Sequence, residues 1–391
     1  MPKQRINRSR REFLLNTMQT MAAAGFALPV LAPGKSTAAQ AGGELSQAQK
    51  PVHVEYRTLG NTGMKVTAVS YGAMRTRDEA VIQRALDLGI NYIDTARGYL
   101  GGLSESIIGN IMKTRRKEAF LATKFKPGTV SEILELVETS LKALQTDHID
   151  VIQAHGLSTL EQIKNPNILE ALTKLKKDGK VRFVGFSTHK NMTELIREAT
   201  KMKFYDTVLT TYNFQVPADL TEAIEEAGKA GIGIIAMKTQ VGGYTDPAMG
   251  GLSPHQAALK WVLQNKGIAT AIPSMVTYDQ LNENVQVMGA KLGRRDHDIL
   301  DRYARTTGSR FCRMCGACTG RCPFGVEIAD VHRALMYREG YGDSILAHET
   351  YHGIPESIRP AACTSCAACR VFCRFGIDIK KRMTEALAIW A

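Results

Sequence analysis

The sequence predicts an α/β protein that consists of a large barrel followed by a small cysteine-rich domain. From about residue 52 to 292, short apolar runs rich in β-formers alternate with amphipathic stretches, the pattern of a parallel sheet covered by helices. All eight cysteines follow residue 311. Eight strand and helix units in roughly 240 residues indicate a TIM (β/α)8 barrel.

Eight runs are the candidate barrel strands. In order they are VTAVS (66–70), NYIDT (91–95), AFLATK (119–124), IDVIQA (149–154), RFVGFS (182–187), TVLTT (207–211), IGIIAM (232–237) and ATAIP (269–273). Apolar residues at helical spacing predict helices between them, for example over 131–144. Residues 53–63, with the turn Asn61-Thr62-Gly63, predict a small hairpin ahead of the first strand.

The formal net charge of +12 raises the question of nucleic-acid binding. Residues 1–41 hold six Lys or Arg residues and one acid, so the remainder carries +7. Basic runs at 113–118 and 174–180 are explained by cations at helix ends, where they offset the carbonyl dipoles. We therefore expect no nucleic-acid partner.

Residues 1–41 have the composition of an export signal. A basic start precedes an apolar stretch of about a dozen residues, shorter than the roughly 20 that span a bilayer, so no stable membrane span is expected. The small residues Ala39-Gln40-Ala41 predict cleavage after Ala41. The segment Ser9-Arg10-Arg11-Glu12-Phe13-Leu14 resembles the twin-arginine (Tat) signal, with Leu15 at the usual Lys position. Polar residues 42–51 predict a linker.

The cysteines form two groups with the same spacing, CxxCxxCxxxC. They are Cys312, Cys315, Cys318 and Cys322, then Cys363, Cys366, Cys369 and Cys373. This spacing resembles bacterial ferredoxins with two 4Fe–4S clusters, in which the fourth cysteine of each group binds the other group's cluster. The resemblance implies one cluster on Cys312, Cys315, Cys318 and Cys373, and a second on Cys363, Cys366, Cys369 and Cys322. Residues 310–391 then form a ferredoxin-like domain, after a connecting helix at 293–309.

Zinc and disulfides are the alternatives for these cysteines. Zinc sites use two separated pairs of ligands and leave the middle cysteine of each group without a role. Disulfides form in exported proteins, but a framework with the same spacing twice is unusual. Arg374 stands where the ferredoxin pattern has a proline, and residues 326–360 form a long insertion with a predicted helix at Asp330–Arg338 and a polar loop.

Export through the Tat machinery suits a cluster protein. A cluster assembled in the reducing cytosol must travel inside a folded chain, because an unfolded chain would expose eight thiols to an oxidising compartment. The resemblance therefore implies a periplasmic protein. If residues 1–41 are only a basic tail, the protein is cytoplasmic.

Four polar residues lie at or just after consecutive strand ends, where TIM barrels carry their chemistry. They are Asp94, Tyr99, Lys124 and His155, within DTARGY (94–99), ATK (122–124) and QAHG (153–156). These motifs resemble the aldo/keto reductases and match that family's Asp-Tyr-Lys-His tetrad in order. A nearby ammonium favours the phenolate, so Lys124 should lower the pKa of Tyr99. Tyr99 would then act as general acid, Asp94 would hold Lys124, and His155 would orient the carbonyl.

The same resemblance predicts a nicotinamide site. By position, Ser187 corresponds to the carboxamide contact, Lys238 and Gly242-Gly243 lie along the pyrophosphate path, and Asn284 corresponds to an adenine contact. Ser274 and Gln280 stand where the family has the Lys and Arg that bind a 2′-phosphate, and Met237 replaces a stacking aromatic. NADH, NADPH or an altered cofactor dependence all remain open.

Together these features predict an exported iron–sulfur oxidoreductase that interconverts a carbonyl and an alcohol. Its expected cofactors are two 4Fe–4S clusters, with NAD(P)H as a candidate. Its expected partners are a small-molecule substrate and a one-electron redox protein. The alternative is an electron-carrier protein that does no hydride chemistry and whose barrel is only a docking scaffold.

Overall fold

Ten strands form two sheets in the computed structural model, which describes residues 53–242 and 253–390. Strands β1 and β2 pair antiparallel, and β3 to β10 form one parallel sheet in sequential order. The strands are β1 Tyr56–Thr58, β2 Lys65–Thr67, β3 Tyr71–Gly72, β4 Tyr92–Asp94, β5 Phe120–Phe125, β6 Ile149–Ala154, β7 Val181–Thr188, β8 Thr207–Thr211, β9 Gly233–Met237 and β10 Ile268–Ala271. Parallel bridges from Val69 to Ala271 and from Gly72 to Ser274 join the first strand to the last and close the barrel.

Helices follow the strands and continue through the C-terminal region. They are α1 Glu79–Asp87, α2 Leu103–Arg115, α3 Val130–Leu144, α4 Leu160–Ile163, α5 Pro166–Lys177, α6 Met192–Met202, α7 Ala218–Lys229, α8 Pro254–Gln264, α9 Tyr278–Val285, α10 Arg294–Thr307, α11 Ile328–Glu339, α12 Ser344–His352 and α13 Ile379–Trp390. Among these helices, none has both the length and the apolar character that a bilayer span requires.

The barrel strands are buried on both faces, as expected for a parallel sheet between an inner core and an outer helical layer. All six residues of β6 are buried. The hairpin β1–β2 covers the amino-terminal end of the barrel, where Leu59 and Val66 pack with Tyr92. Gly60 makes this closure possible, because it adopts φ +51° and a Cβ there would clash with the backbone of Gly231 and Gly233.

The C-terminal region has its own apolar cluster. Residues from α11, α12 and α13 share it, and the ring of Trp390 stacks on Tyr351 with centroids 4.7 Å apart. Five cysteines from both groups pack against the same cluster: Cys312, Cys318, Cys322, Cys363 and Cys373. The cysteine-bearing loops therefore rest on a small core shared by the three helices.

The predicted barrel is confirmed, with two corrections to its elements. The run 66–70 belongs to the first barrel strand only in part, because residues 65–67 pair with β1, whereas Val69 bridges Ala271 and the pairing with β4 begins at Tyr71. Alternation of apolar residues continues through both strands, so it does not reveal where the pairing partner changes. The predicted polar loop in the insertion contains helix α12, whose Ala347 and Tyr351 are one turn apart and buried.

Three predictions fall on residues that the structure does not describe, and two predicted helices correspond to observed ones. The Tat signal at 1–41 and the linker at 42–51 fall on residues that the structure does not describe, as does Gly243. The predicted connecting helix corresponds to α10, and the predicted helix 330–338 lies within α11.

Candidate active site

The four candidate catalytic residues lie at one end of the barrel. Asp94 ends β4, Tyr99 begins a short turn after it, Lys124 lies in β5, and His155 follows β6. The carboxyl ends of parallel strands meet at the same mouth, so these neighbouring strands bring the side chains together. A cavity of about 950 Å³ opens at this mouth, and Asp94, Tyr99 and His155 line it.

Asp94 and Lys124 form a buried ion pair behind the cavity. Lys124 Nζ donates to Asp94 Oδ1 and to the carbonyl oxygen of Thr95, the latter at 2.6 Å. Gln153 Nε2 donates to Asp94 Oδ2 at 3.2 Å. Burial raises the pKa of Asp94 and lowers the pKa of Lys124, while each charge favours the ionised form of the other. The hydrogen bonds hold the ion pair in place beneath Tyr99, and its two opposite charges leave little net charge there.

Tyr99 and His155 face each other at the cavity wall. Their rings are edge-to-face with centroids 5.8 Å apart, and Lys124 Nζ lies 4.9 Å from the centre of the Tyr99 ring. Burial, followed by the positive charges of Lys124 and Arg333, lowers the pKa of His155 to about 3. His155 is therefore a neutral imidazole at physiological pH and can donate an N–H without carrying charge.

The expected lowering of the Tyr99 pKa by Lys124 is not observed. Burial raises the pKa of Tyr99 well above its usual value, and Asp94 and Tyr337 raise it further. Burial is the largest cause, because a phenolate would lose its hydration, and the Asp94 charge beside Lys124 offsets the attraction of the ammonium for a phenolate. The raised pKa favours the protonated phenol, the form that can donate a proton.

The predicted cofactor residues divide into two sets. Lys238, Ser274, Gln280 and Asn284 line the same cavity as Tyr99. Ser187 is buried, and its hydroxyl accepts a hydrogen bond from the backbone N–H of Gly156 at 2.9 Å. One continuous cavity thus extends from the tetrad to Asn284, while Ser187 supports the loop after His155.

Two residues of the cavity were not predicted from the sequence, because they belong to the C-terminal region and not to the barrel. Arg333 and Tyr337 lie one turn apart on α11 and line the cavity opposite the barrel. Nothing in their local sequence distinguishes them from surface residues of an amphipathic helix. His189 also lines the cavity, and its place just after β7 was a signal of the same kind that identified His155.

The eight cysteines are free thiols, and of these only Cys369 is exposed. Within the described residues, no group of three or more His, Cys, Asp or Glu side chains is arranged to hold a single metal ion. The thiols nevertheless fall into two neighbourhoods. Cys312, Cys315, Cys318 and Cys373 line one small cavity. The pKa of Cys363 is raised by burial and then by Cys322, Cys369 and Cys366, which places these four together.

A buried histidine lies in the first of these neighbourhoods. His332 on α11 is 2% exposed and lines the cavity of Cys312, Cys315, Cys318 and Cys373. Neither of its ring nitrogens has a hydrogen-bond partner in the protein. Burial, then Arg382, lowers the pKa of His332 to about 4, so the ring is neutral and carries one buried N–H without an acceptor. An acceptor inside the cavity, such as cluster sulfur, would satisfy that group.

Comparison with known proteins agrees with this architecture. Residues 63–250 match the model of the Aldo/keto reductase family. L-galactose dehydrogenase of Arabidopsis thaliana is 29% identical over 279 residues, covering 59% of this chain and 87% of that protein. Methylglyoxal reductase YeaE of Escherichia coli is 26% identical over 251 residues, covering 59% and 85%.

Solved structures give the same result. The holo form of an aldo-keto reductase from Bacillus halodurans superposes with a TM-score of 0.54 at 26% identity, covering 64% of this chain and 96% of that chain. A putative aldo-keto reductase from Pseudomonas aeruginosa gives a TM-score of 0.53 at 28% identity, covering 61% and 95%. Residues 63–250 therefore match an aldo/keto reductase family domain, and the protein is an aldo/keto reductase-like oxidoreductase.

Proposed function

We propose that this protein interconverts a carbonyl and an alcohol at Asp94, Tyr99, Lys124 and His155, and that two 4Fe–4S clusters connect the site to a one-electron partner. The observation that carries the proposal is the convergence of Tyr99 and His155 over the Asp94–Lys124 pair in one cavity. Four residues from separate elements rarely meet in this way for structural reasons alone.

The side chains divide the reaction between them. His155, neutral and at the cavity wall, donates an N–H to the carbonyl oxygen and orients it. Tyr99 transfers its phenolic proton to that oxygen during reduction and recovers it during oxidation. The Asp94–Lys124 pair holds the floor of the site in place. A bound nicotinamide would supply or accept the hydride.

We propose NADH as the preferred nicotinamide. Glu283 lines the cavity with Gln280 and Asn284, and its carboxylate lies 3.6 Å from the His255 ring. Burial favours the protonated acid, but His255 and Ser253 outweigh it and leave the pKa of Glu283 lowered. An ionised carboxylate here repels a 2′-phosphate, and neither Ser274 nor Gln280 offers a compensating charge.

A fluorescence titration of the reconstituted full chain with NADH and NADPH tests the nicotinamide site. We expect NADH to bind about tenfold or more tightly than NADPH, and Glu283→Gln to narrow the difference. The matched control is Asp279→Asn, which removes an exposed carboxylate from the same helix. Binding of neither nucleotide would contradict hydride transfer, and tighter binding of NADPH would contradict the role of Glu283.

The cluster proposal rests on the two cysteine neighbourhoods and on the unsatisfied histidine. Cys312, Cys315, Cys318 and Cys373 would hold one cluster, and Cys363, Cys366, Cys369 and Cys322 the other, in a ferredoxin-like domain at 310–391. The clusters would supply one-electron transfer. His332 would donate its N–H to sulfur of the first cluster and favour the more negative, reduced state.

Replacing His332 by Phe should lower the reduction potential of one cluster. A hydrogen bond with a net worth of about 1 kcal/mol corresponds to about 40 mV for one electron, so we expect a shift of tens of millivolts. Spectroelectrochemical titration measures the shift, with iron content as the check that both clusters remain. His348→Phe, an exposed histidine on α12, is the control. An unchanged potential with full iron content would contradict the hydrogen bond.

We also propose that residues 1–41 direct Tat export and that the mature protein is periplasmic. The proposal rests on the twin-arginine segment at Arg10-Arg11 and on the need to export a cluster protein in its folded state.

A second candidate function has one observation in its favour. Gly242, on the expected pyrophosphate path, packs against Met336 and Gly340 of the C-terminal region, with no room for a Cβ at either glycine. A barrel closed at this point could serve as a scaffold for an electron carrier. The nucleotide titration separates the two functions, since a carrier needs no nicotinamide.

A further inference from the structure

The C-terminal region contributes two polar side chains to the active-site cavity. Arg333 and Tyr337 project from one face of α11 into the space bounded by Tyr99 and His155. Among the described residues, the Arg333 guanidinium makes one ion pair, with Asp330 at 2.8 Å. Since a guanidinium has five N–H donors in a fixed fork, Arg333 retains donors that are free to bind a ligand.

Tyr337 is held by a lysine from the barrel. Lys238 Nζ donates to the Tyr337 hydroxyl at 2.6 Å and lies 4.6 Å from the centre of its ring. Because the hydroxyl oxygen accepts from Lys238, its own proton is available to a ligand in the cavity. Burial opposes ionisation of Tyr337, but Lys238 and Arg333 outweigh it and the pKa of Tyr337 is lowered. Lys238 itself adopts φ +53°, an uncommon conformation for a non-glycine residue that tends to mark functional sites.

The mouth of the cavity has an excess of positive charge. Lys190 pairs with Glu327 at 2.9 Å and with Asp330 at 3.0 Å, and Asp330 also pairs with Arg333, so two carboxylates balance the charges of these two cations. In the part of the chain that the structure describes, Lys126 and Lys238 have no carboxylate partner. After burial, the charges that lower the pKa of His155 are those of Lys124, Arg333, Lys126 and Lys238, so this positive potential reaches His155 at the cavity wall.

We propose that Arg333, Lys238 and Tyr337 form a subsite for an anionic group of the substrate, and that the substrate is a carbonyl or alcohol compound bearing a carboxylate. The inference rests on the proposed carbonyl chemistry and adds the substrate class. A guanidinium fork, an ammonium and a phenolic O–H together match the acceptor oxygens of a carboxylate. The subsite exists only because α11 covers the barrel mouth, so the C-terminal region would determine substrate choice as well as carry electrons.

A matched pair of aldehydes tests the subsite in the full chain reconstituted with iron and sulfide. 4-Carboxybenzaldehyde and methyl 4-formylbenzoate present the same aldehyde with and without charge. We expect kcat/KM to be roughly 10- to 100-fold higher for the acid, the range for a hydrogen bond to a charged group. Arg333→Gln should remove this preference by raising KM for the acid more than KM for the ester. The control is Arg338→Gln, which removes an exposed arginine from the same helix.

Equal kcat/KM for the two aldehydes in the wild type would overturn the subsite. Equal effects of Arg333→Gln and Arg338→Gln would also overturn it, because they would reflect a general loss of charge. Calorimetric binding of benzoate and benzamide provides a readout that needs no turnover. If neither aldehyde reacts, the carbonyl chemistry fails, and tighter binding of benzoate that is lost in Arg333→Gln still supports the subsite.

The nicotinamide pyrophosphate is the other anion that could occupy these donors. Benzoate binding measured with and without NADH separates the two sources. Benzoate binding that is as tight with NADH as without it supports a substrate subsite. Displacement of benzoate by NADH would assign the charges to the cofactor and overturn the proposal.

Discussion

Replacing Tyr99 by Phe is expected to lower carbonyl reduction about 10²- to 10⁴-fold, the usual contribution of a positioned general acid. The variant loses only a hydroxyl at the cavity wall, so the fold and nucleotide binding should be unchanged. Steady-state reduction of 4-carboxybenzaldehyde measures the effect. Tyr56→Phe, on the exposed hairpin strand β1, is the matched control.

The pH profile of the wild type provides an independent check on Tyr99. Burial and the charge of Asp94 raise the pKa of Tyr99, so the acid form that donates the proton persists through neutral and alkaline pH. Reduction should therefore fall only above about pH 10, the ordinary phenol value, as the proton donor is lost. His155, with a pKa of about 3, should add no inflection near pH 6.5. Full carbonyl reduction by Tyr99→Phe would contradict the catalytic role of Tyr99.

Paired cysteine variants are expected to remove one cluster or two, according to which cysteines share a cluster. The wild type should carry about eight irons per chain in anaerobic preparations. Cys312→Ser combined with Cys373→Ser should damage a single cluster and leave about four irons, because both thiols line the same cavity. Cys312→Ser combined with Cys322→Ser should damage both clusters, although these cysteines belong to one sequence group.

Iron and sulfide analysis with cluster spectroscopy distinguishes these outcomes. If the double variant of Cys312 and Cys322 lost only one cluster, each sequence group would bind its own cluster. Zinc in place of iron, or disulfides under careful anaerobic handling, would contradict the cluster proposal as a whole. Each double variant serves as the control for the other, since both remove two thiols.

Much of the barrel was predictable because its signals are local. The strands Ile149–Ala154 and Thr207–Thr211 have the predicted bounds, since each is a short run rich in β-branched residues. The first barrel strand was misplaced because residues 65–72 contain two short strands with different partners. Helix α12 was missed because its buried face consists only of Ala347 and Tyr351, too few for a visible period.

The same distinction between local sequence signals and tertiary packing applies to the candidate active site. Asp94, Tyr99, Lys124 and His155 were predictable from their places at strand ends, because strand order in a parallel barrel fixes which ends are neighbours. The Tyr99 pKa was not, because its direction depends on burial and on the pairing of Lys124 with Asp94. Both are properties of the packed site.

Local sequence patterns and motifs were enough to indicate the eight-stranded barrel, the four candidate catalytic residues and the two cysteine groups, since each strand, motif and cysteine group is a short run of residues. Tertiary packing alone decided that α11 covers the barrel mouth, that Arg333 and Tyr337 enter the cavity with Lys238, and that His332 is buried beside four thiols. The Lys238–Tyr337 contact joins residues 99 positions apart, and all of these contacts depend on how one helix packs against other parts of the fold, which no local pattern specifies.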